Sequence, residues 1–325
     1  MAMKHVIESR QLAQNILLGQ TLKKVVIVGP CSIHNTKEAL EYALKLKSLS
    51  LKVQDHLFIV MRVFLEKPRT KNDWRGFLYD PHLNGSLNLQ EGLKISTALL
   101  EELVKLDIPV ATEFIDPLIA HLIKDKITWG FIGARTTRSP VHRQLASFLP
   151  MPIGFKNTLD GDLEATKAAI SVANSSHCAL INDDLYRLRF ETSMGNPLAH
   201  LVLRGTLEGP NYTKALDLRD PLLIDCAHGN SSKTLEGMVK AFYESIKLSL
   251  EFDHIKGVML ESFLNEGNQG FCQSLKPGVS VTDPCLSFEN TEKLILDYYK
   301  LVSQSQGSSS VSTASSLISI SSSDT

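Results

Sequence analysis

Residues 23–47 read KKVVIVGPCSIHNTKEALEYALKLK. The run KKVVIVG is short, apolar and rich in β-branched residues. A few residues later Asn35-Thr36-Lys37-Glu38 has the form of a capping box, and an amphipathic helical pattern follows it. One strand followed at once by one helix is the βα unit of a parallel sheet. The unit recurs along the chain, with strand runs HLFIVMRVF, IPVATEF, WGFIGA, MPIGFK, AHLVLRG, PLLIDCA and IKGVMLES. That makes about eight, the number a closed (β/α)8 TIM barrel requires. Asp116-Pro117 supplies a second helix start, a cap and a first-turn proline before LIAHLIKD. The predicted fold is α/β, a (β/α)8 barrel of one domain over residues 1–303.

Three segments stand outside the alternation. The amino terminus, MAMKHVIESRQLAQNILLGQ, mixes charged and apolar residues as an amphipathic helix does, which predicts a short helical extension before the first strand. Residues from about Asn182 to Pro197 are longer and more polar than a usual βα connection, and predict an inserted loop or hairpin before strand 6 of the barrel. Residues 304–325, QSQGSSSVSTASSLISISSSDT, are serine-rich and lack an apolar face, and read as a disordered tail or a packing peptide.

Composition narrows the function. The 325 residues carry 34 Lys plus Arg against 35 Asp plus Glu, a net charge of -1, so nothing global suggests nucleic acid or an anionic membrane. No apolar stretch approaches the roughly 20 residues needed to span a bilayer, and the amino terminus lacks a secretory core. The five cysteines form no CxxC pair, which predicts free thiols and a cytoplasmic location.

Strand ends carry the chemistry in such a barrel, because side chains there converge on one mouth. Cys31 follows VVIVGP, His228 follows PLLIDCA, Glu261 ends IKGVMLE and Asp283 follows GVSVT. One thiolate, one imidazole and two carboxylates at one point would hold a divalent metal. Taken singly, a buried Cys is more often a small core residue and a His a packing residue, so the weight lies in their coincidence. Arg62, Lys67, Arg69, Arg135, Lys156 and Arg204 also fall at or just beyond strand ends. So many cations in one cleft require a strongly anionic ligand, which points to phosphorylated and carboxylated substrates such as a sugar phosphate or phosphoenolpyruvate. Glu113 either pairs with one of these cations or touches substrate, and Thr70 either caps a turn or binds phosphate.

The strings GPCSIH, MRVFLEKPRT, DPHLNGS, GARTT, HRQLAS, GFKN, LRG, PNY, HGNSSK, GVMLES, EGNQ and VTDPC, in this order, resemble the metal-dependent microbial class of 3-deoxy-D-arabino-heptulosonate 7-phosphate (DAHP) synthases. The resemblance implies the first step of the shikimate pathway, condensation of phosphoenolpyruvate with erythrose 4-phosphate. It implies one divalent metal per subunit, manganese, iron, cobalt or zinc, on Cys31, His228, Glu261 and Asp283. It assigns Arg62, Arg135, Lys156 and Arg204 to phosphoenolpyruvate, with Glu113 and Lys67 nearby. Pro68, Arg69 and Thr70 fall to erythrose 4-phosphate. Lys67, with Cys31 and His228, forms the implied catalytic set, Lys67 as proton donor. A homodimer or homotetramer is expected, with no nucleic-acid or membrane partner.

KPRT separates this family from the related 3-deoxy-D-manno-octulosonate 8-phosphate synthases, which take a pentose phosphate and carry a different string there. A Schiff-base lyase using Lys156 and an inactive scaffold are remoter readings. Asn84, Arg138 and Pro140 depart from the family pattern, the first two replacing usual acidic residues, which bears on loop conformation and subunit contacts. Only residues 1–22 precede the first strand run, a shorter extension than in feedback-regulated relatives, so weak or absent inhibition by aromatic amino acids is expected.

Overall fold

The computed structural model describes residues 2–71, 73–182, 187–271 and 274–318. Eight strands close a wholly parallel barrel: β1 (Lys24–Gly29), β2 (Leu57–Arg62), β3 (Val110–Glu113), β4 (Trp129–Ile132), β5 (Ile153–Lys156), β8 (Ala199–Leu203), β9 (Leu222–Asp225) and β10 (Ile255–Glu261). They follow one another around the barrel in chain order, and β10 pairs back onto β1 with Val25 opposite Gly257. Every strand run read from the sequence forms one of these strands.

Successive side chains of a strand point to opposite faces, and here both faces are covered. In β1, Val25 and Ile27 fill the lumen while Val26 and Val28 pack against the outer helices. Phe58 and Val60 of β2, Trp129 and Phe131 of β4, Val202 of β8, Leu223 of β9 and Met259 of β10 complete the lumen. Continuing the same parity to the carboxyl ends puts Arg62, Glu113, Lys156, Arg204, Asp225 and Glu261 on the inner side.

The outer layer contains α2 (Thr36–Val53), α3 (Leu89–Lys105), α4 (Pro117–Ile123), α5 (Pro140–Phe148), α6 (Leu163–Ala173), α7 (Leu235–Glu251) and α8 (Phe288–Ile318). The Asn35 side chain accepts from the N–H groups of Lys37 and Glu38, and its amide donates to Glu38 Oε1 at 3.2 Å, a side-chain variant of the expected capping box. Asp116 caps α4 through Leu118 N at 2.8 Å.

The amino-terminal extension is a helix, α1 (Ala2–Leu17), and it floors the barrel. Ala13, Ile16 and Leu17 belong to the same buried cluster as the lumen residues, and Arg10 ties the helix to the carbonyls of Ile127 and Lys124 at 2.9 and 2.6 Å. Above this floor, Trp129 Nε1 donates to His200 Nε2 at 3.3 Å, and His200 Nδ1 lies 2.9 Å from the Leu198 carbonyl. Burial pushes the His200 imidazole down to about 4.

The insertion is an antiparallel hairpin of β6 (Cys178–Asn182) and β7 (Leu188–Thr192), with Cys178 opposite Thr192. It begins four residues earlier than the polar stretch suggests, because CALI reads as apolar yet Leu180 is exposed on this ribbon. The part of the insertion at residues 183–186 lies outside the described residues. The backbone of α8 is helical to Ile318, and Gln306 bonds His56 Nδ1 at 2.7 Å and the Leu22 carbonyl at 2.9 Å. Residues 319–325 of the serine-rich segment lie outside the described residues. Cys31, Cys178, Cys226 and Cys285 are free thiols, and Cys272 lies outside the described residues. Among the described residues no helix is long and apolar enough to cross a membrane.

Candidate active site

At the carboxyl mouth lies a cavity of about 430 Å³ lined by Lys67, Pro68, Arg69, Glu113, Arg135, Lys156, Arg204, His228 and Asp283, among others. Its base is the candidate metal centre. Ligand atoms of Cys31, Glu261 and Asp283 lie within 4.8 Å of one another. His228 Nε2 reaches to 3.5 Å from Glu261 Oε1. This spread is close to what an ion held at roughly 2.0–2.3 Å from each donor demands, so the residues fit a divalent ion. Cys31 and Glu261 are buried beneath the cavity, whereas His228 and Asp283 face it.

Cys31 and Glu261 are delivered by the loop after β1 and by the end of β10. Asp283 differs: it sits in the long connection after β10, held by isolated bridges such as Gly267 to Cys285 and Ser262 to Leu286, rather than behind a barrel strand. The apolar look of GVSV comes from packing that loop. His228 has φ 57, and Ser232 and Lys233 have φ 51 and 59, so three non-glycine residues of HGNSSK take the left-handed conformation. Each such residue costs on the order of 1–3 kcal/mol where context enforces it, a cost concentrated at functional sites.

Charge is balanced tightly at the base. Arg62, fully buried, donates through Nη2 to Glu261 Oε1 at 2.9 Å, and its guanidinium stacks 4.0 Å from the Phe64 ring centre. Lys67 Nζ donates to the Cys31 carbonyl at 3.0 Å and to its Sγ at 3.2 Å. Burial opposes the Lys67 charge, but Cys31 and Glu261 outweigh it and hold the ammonium above its ordinary value. Burial, and then Glu261, push the Cys31 thiol up. Asp283 accepts from Lys233 Nζ at 2.9 Å. Its burial would raise the carboxyl, yet His228 and Lys233 keep it below the usual range.

The cavity walls carry the cations. Arg135 and Arg204 line the cavity, and among the described residues neither guanidinium has a hydrogen-bond partner. Lys156 is buried, and its Nζ pairs with Asp225 Oδ2 at 2.8 Å. Glu113 is buried, and its Oε1 has no hydrogen-bond partner. Gly133 makes room for it: a Cβ there would stand 2.1 Å from that oxygen.

The KPRT loop folds over one side. Lys67 N donates to the Arg75 carbonyl at 2.9 Å, and Arg69 Nε to the Trp74 carbonyl at 2.9 Å. Glu66 is buried beneath it, 3.3 Å from Tyr79 Oη, and burial pushes its carboxyl up to about 7. Thr70 is exposed and does not line the cavity, and Arg62 lies behind it with Glu261. The other proposed site residues are brought together. Asp225 is the site residue that strand-end reading passes over. It is fully buried, and His228 and Lys156 outweigh the burial that opposes its charge and hold its carboxyl well below the usual range. Of the departures from pattern, Arg138 bridges Asp160 and Asp162 at 3.0 and 2.9 Å, Pro140 opens α5, and Asn84 N lies 3.4 Å from Asp80 Oδ1.

A parallel barrel with an anion-binding mouth over a candidate metal centre defines a class of barrel enzyme for acidic, phosphorylated substrates. Within it, the chain belongs to the DAHP synthetase I family, whose model matches residues 5–295. It is 40% identical over 311 residues to a phospho-2-dehydro-3-deoxyheptonate aldolase, Tyr-sensitive, of Salmonella typhimurium, covering 91% of this chain and 87% of that one. It is 40% identical over 305 residues to the Trp-sensitive enzyme of Escherichia coli, covering 90% and 87%. A solved phospho-2-dehydro-3-deoxyheptonate aldolase from Francisella tularensis superposes with a TM-score of 0.89 at 38% identity, over 93% of this chain and 92% of that one.

Proposed function

We propose that this chain is a metal-dependent DAHP synthase. It joins phosphoenolpyruvate to erythrose 4-phosphate and releases 3-deoxy-D-arabino-heptulosonate 7-phosphate and inorganic phosphate, the first step toward chorismate and the aromatic amino acids. The observation that carries the reading is the pair of guanidiniums, Arg135 and Arg204, without hydrogen-bond partners among the described residues, lining the same cavity as His228 and Asp283 of the candidate metal centre. Family membership over residues 5–295 supports it.

In this reading Arg135, Arg204 and Lys156 grip the phosphate and carboxylate of phosphoenolpyruvate, with Glu113 beside them. Pro68 and Arg69 face erythrose 4-phosphate, and Thr70 joins them if the exposed loop folds inward on binding. Arg62 acts through Glu261, whose charge it balances. Cys31, His228, Glu261 and Asp283 hold one manganese, iron, cobalt or zinc ion, which would supply Lewis acidity at the aldehyde oxygen. C3 of the enolpyruvate attacks the aldehyde carbon, forming the new C–C bond. Lys67 gives its proton to the oxygen that gains the electron pair. Water adds to C2, and the C–O bond to phosphorus-bearing oxygen breaks with departure of inorganic phosphate. The cations hold both anions in near-attack geometry throughout. Residues 1–303 form the working domain and 304–325 an appended tail, and the enzyme works in the cytoplasm as a homodimer or homotetramer.

The test strips the full chain with a chelator, restores manganese and follows loss of phosphoenolpyruvate absorbance with erythrose 4-phosphate and, separately, arabinose 5-phosphate. Metal-dependent loss with the tetrose alone is expected. Loss with the pentose alone would make the enzyme an octulosonate 8-phosphate synthase, and loss with neither would overturn the reading.

A further inference from the structure

Asp225 has no part in the chemistry above, yet it joins the two halves of the site. It closes β9 on the lumen side, and a single oxygen, Oδ2, faces Lys156 Nζ at 2.8 Å and His228 Nδ1 at 3.0 Å. The His228 contact has the distance of an ion pair without the angle of a good hydrogen bond. The other oxygen, Oδ1, accepts the N–H of Ala227 at 3.1 Å, which fixes the carboxylate plane. The far nitrogen of His228 points to the candidate metal centre, 3.5 Å from Glu261 Oε1. A carboxylate at one ring nitrogen sets the tautomer and leaves the lone pair of the other for an ion. Lys156, on the opposite flank, belongs to the cavity wall.

We propose that Asp225 is a positioning residue that couples occupancy of the anion subsite at Lys156 to occupancy of the metal subsite at His228. The inference rests on the function proposed above, which makes phosphoenolpyruvate the anion. An anion beside Lys156 draws the ammonium's charge away from Asp225. The shared oxygen then answers more fully to the Nδ1–H of His228, and Nε2 becomes a stronger donor. Binding free energies couple reciprocally, so the substrate tightens the ion and the ion tightens the substrate by one factor.

Binding alone tests this, with no second substrate. The manganese dissociation constant of the chelator-stripped full chain is read from the resonance signal of free ion, with and without saturating phosphoenolpyruvate. Calorimetry records substrate binding independently. In the wild type, phosphoenolpyruvate should tighten manganese about five-fold or more. In Asp225→Asn, manganese should weaken about 10- to 100-fold, and the effect of substrate should shrink below about two-fold. The ring-nitrogen NMR shifts of His228, assigned by their loss in His228→Gln, should show the Nδ1–H tautomer in the metal-free wild type and its displacement in Asp225→Asn. A merely structural role would leave that tautomer alone.

Wild-type manganese affinity indifferent to bound phosphoenolpyruvate, or an Asn variant with coupling intact, would overturn the proposal. If the Asn variant does not fold, the wild type still decides: an Nε2–H tautomer in the metal-free protein would sink the idea. Absence of phosphoenolpyruvate binding to the manganese-loaded wild type would instead overturn the proposed function and, with it, the anion named here.

Discussion

Replacing Gly133 by Ala should damage turnover while sparing the fold. The new Cβ would meet Glu113 Oε1 at 2.1 Å and its Cδ at 2.8 Å, so the carboxylate must retreat by about 1 Å or more to reach ordinary contact. That oxygen has no hydrogen-bond partner to lose, so about 1–3 kcal/mol of overpacking bounds the stability cost. Displacing a site group by about 1 Å costs on the order of 100-fold in rate, or about 2.7 kcal/mol of transition-state stabilisation. Steady-state loss of phosphoenolpyruvate absorbance, with thermal unfolding in parallel, measures both. Glu113→Ala should cost a similar factor, and Gly133→Ala should add little in that background, because both act through one carboxylate. Activity of Gly133→Ala within about threefold of wild type, or full additivity with Glu113→Ala, would refute the assignment of Glu113 to the substrate site.

Arg62→Met leaves Glu261 buried without its cation and should destabilise the metal-free protein by about 3–5 kcal/mol. Manganese should recover part of this, and denaturant unfolding showing an equal loss with and without metal would contradict the metal centre. Lys67→Ala should lower kcat at saturating substrate by about 100-fold or more, and unchanged turnover would remove the proton-donor role. His200 is held neutral with its folded value at about 4, below the unfolded one near 6.5, so the unfolded chain binds the extra proton between those values. Its contribution to stability is therefore present above about pH 6.5 and lost toward pH 4, on the order of 3 kcal/mol. His200→Gln, which can still accept from Trp129, should flatten that part of the pH profile in denaturant unfolding. An unchanged slope would show that His200 does not titrate as buried.

The barrel was legible because each strand run is short, continuous and apolar on both faces, and two helix starts announce themselves in Asn35 and Asp116. The site was legible where side chains end strands. Glu261, Lys156 and Arg204 inherit their direction from lumen residues Met259, Gly154 and Val202 two places earlier. The same parity, counted from Leu223, would have found Asp225. It was hidden because an acidic residue inside PLLIDCAHG looks like a strand terminus beside a more conspicuous histidine. What periodicity does not reveal is contact across the fold: that Arg62 turns to Glu261, that Thr70 stays outside, and that Asp283 arrives on a bridged loop. These depend on which charges find partners in the packed barrel. The hairpin start at Cys178 escaped for a related reason, since an exposed ribbon buries little and leaves only a weak alternation.

The lumen packed by Ile27, Phe131, Val202 and Met259 closes the cavity from below, so it opens at the carboxyl mouth. Cys31 and Glu261 are buried beneath that cavity, and Arg135, Lys156 and Arg204 line it. Traffic through a single mouth has an order: the ion goes in first and comes out last. Bound substrate then acts as a stopper, so a chelator should empty the free enzyme far faster than the substrate-loaded one, and metal exchange in the cell should be confined to the intervals between turnovers.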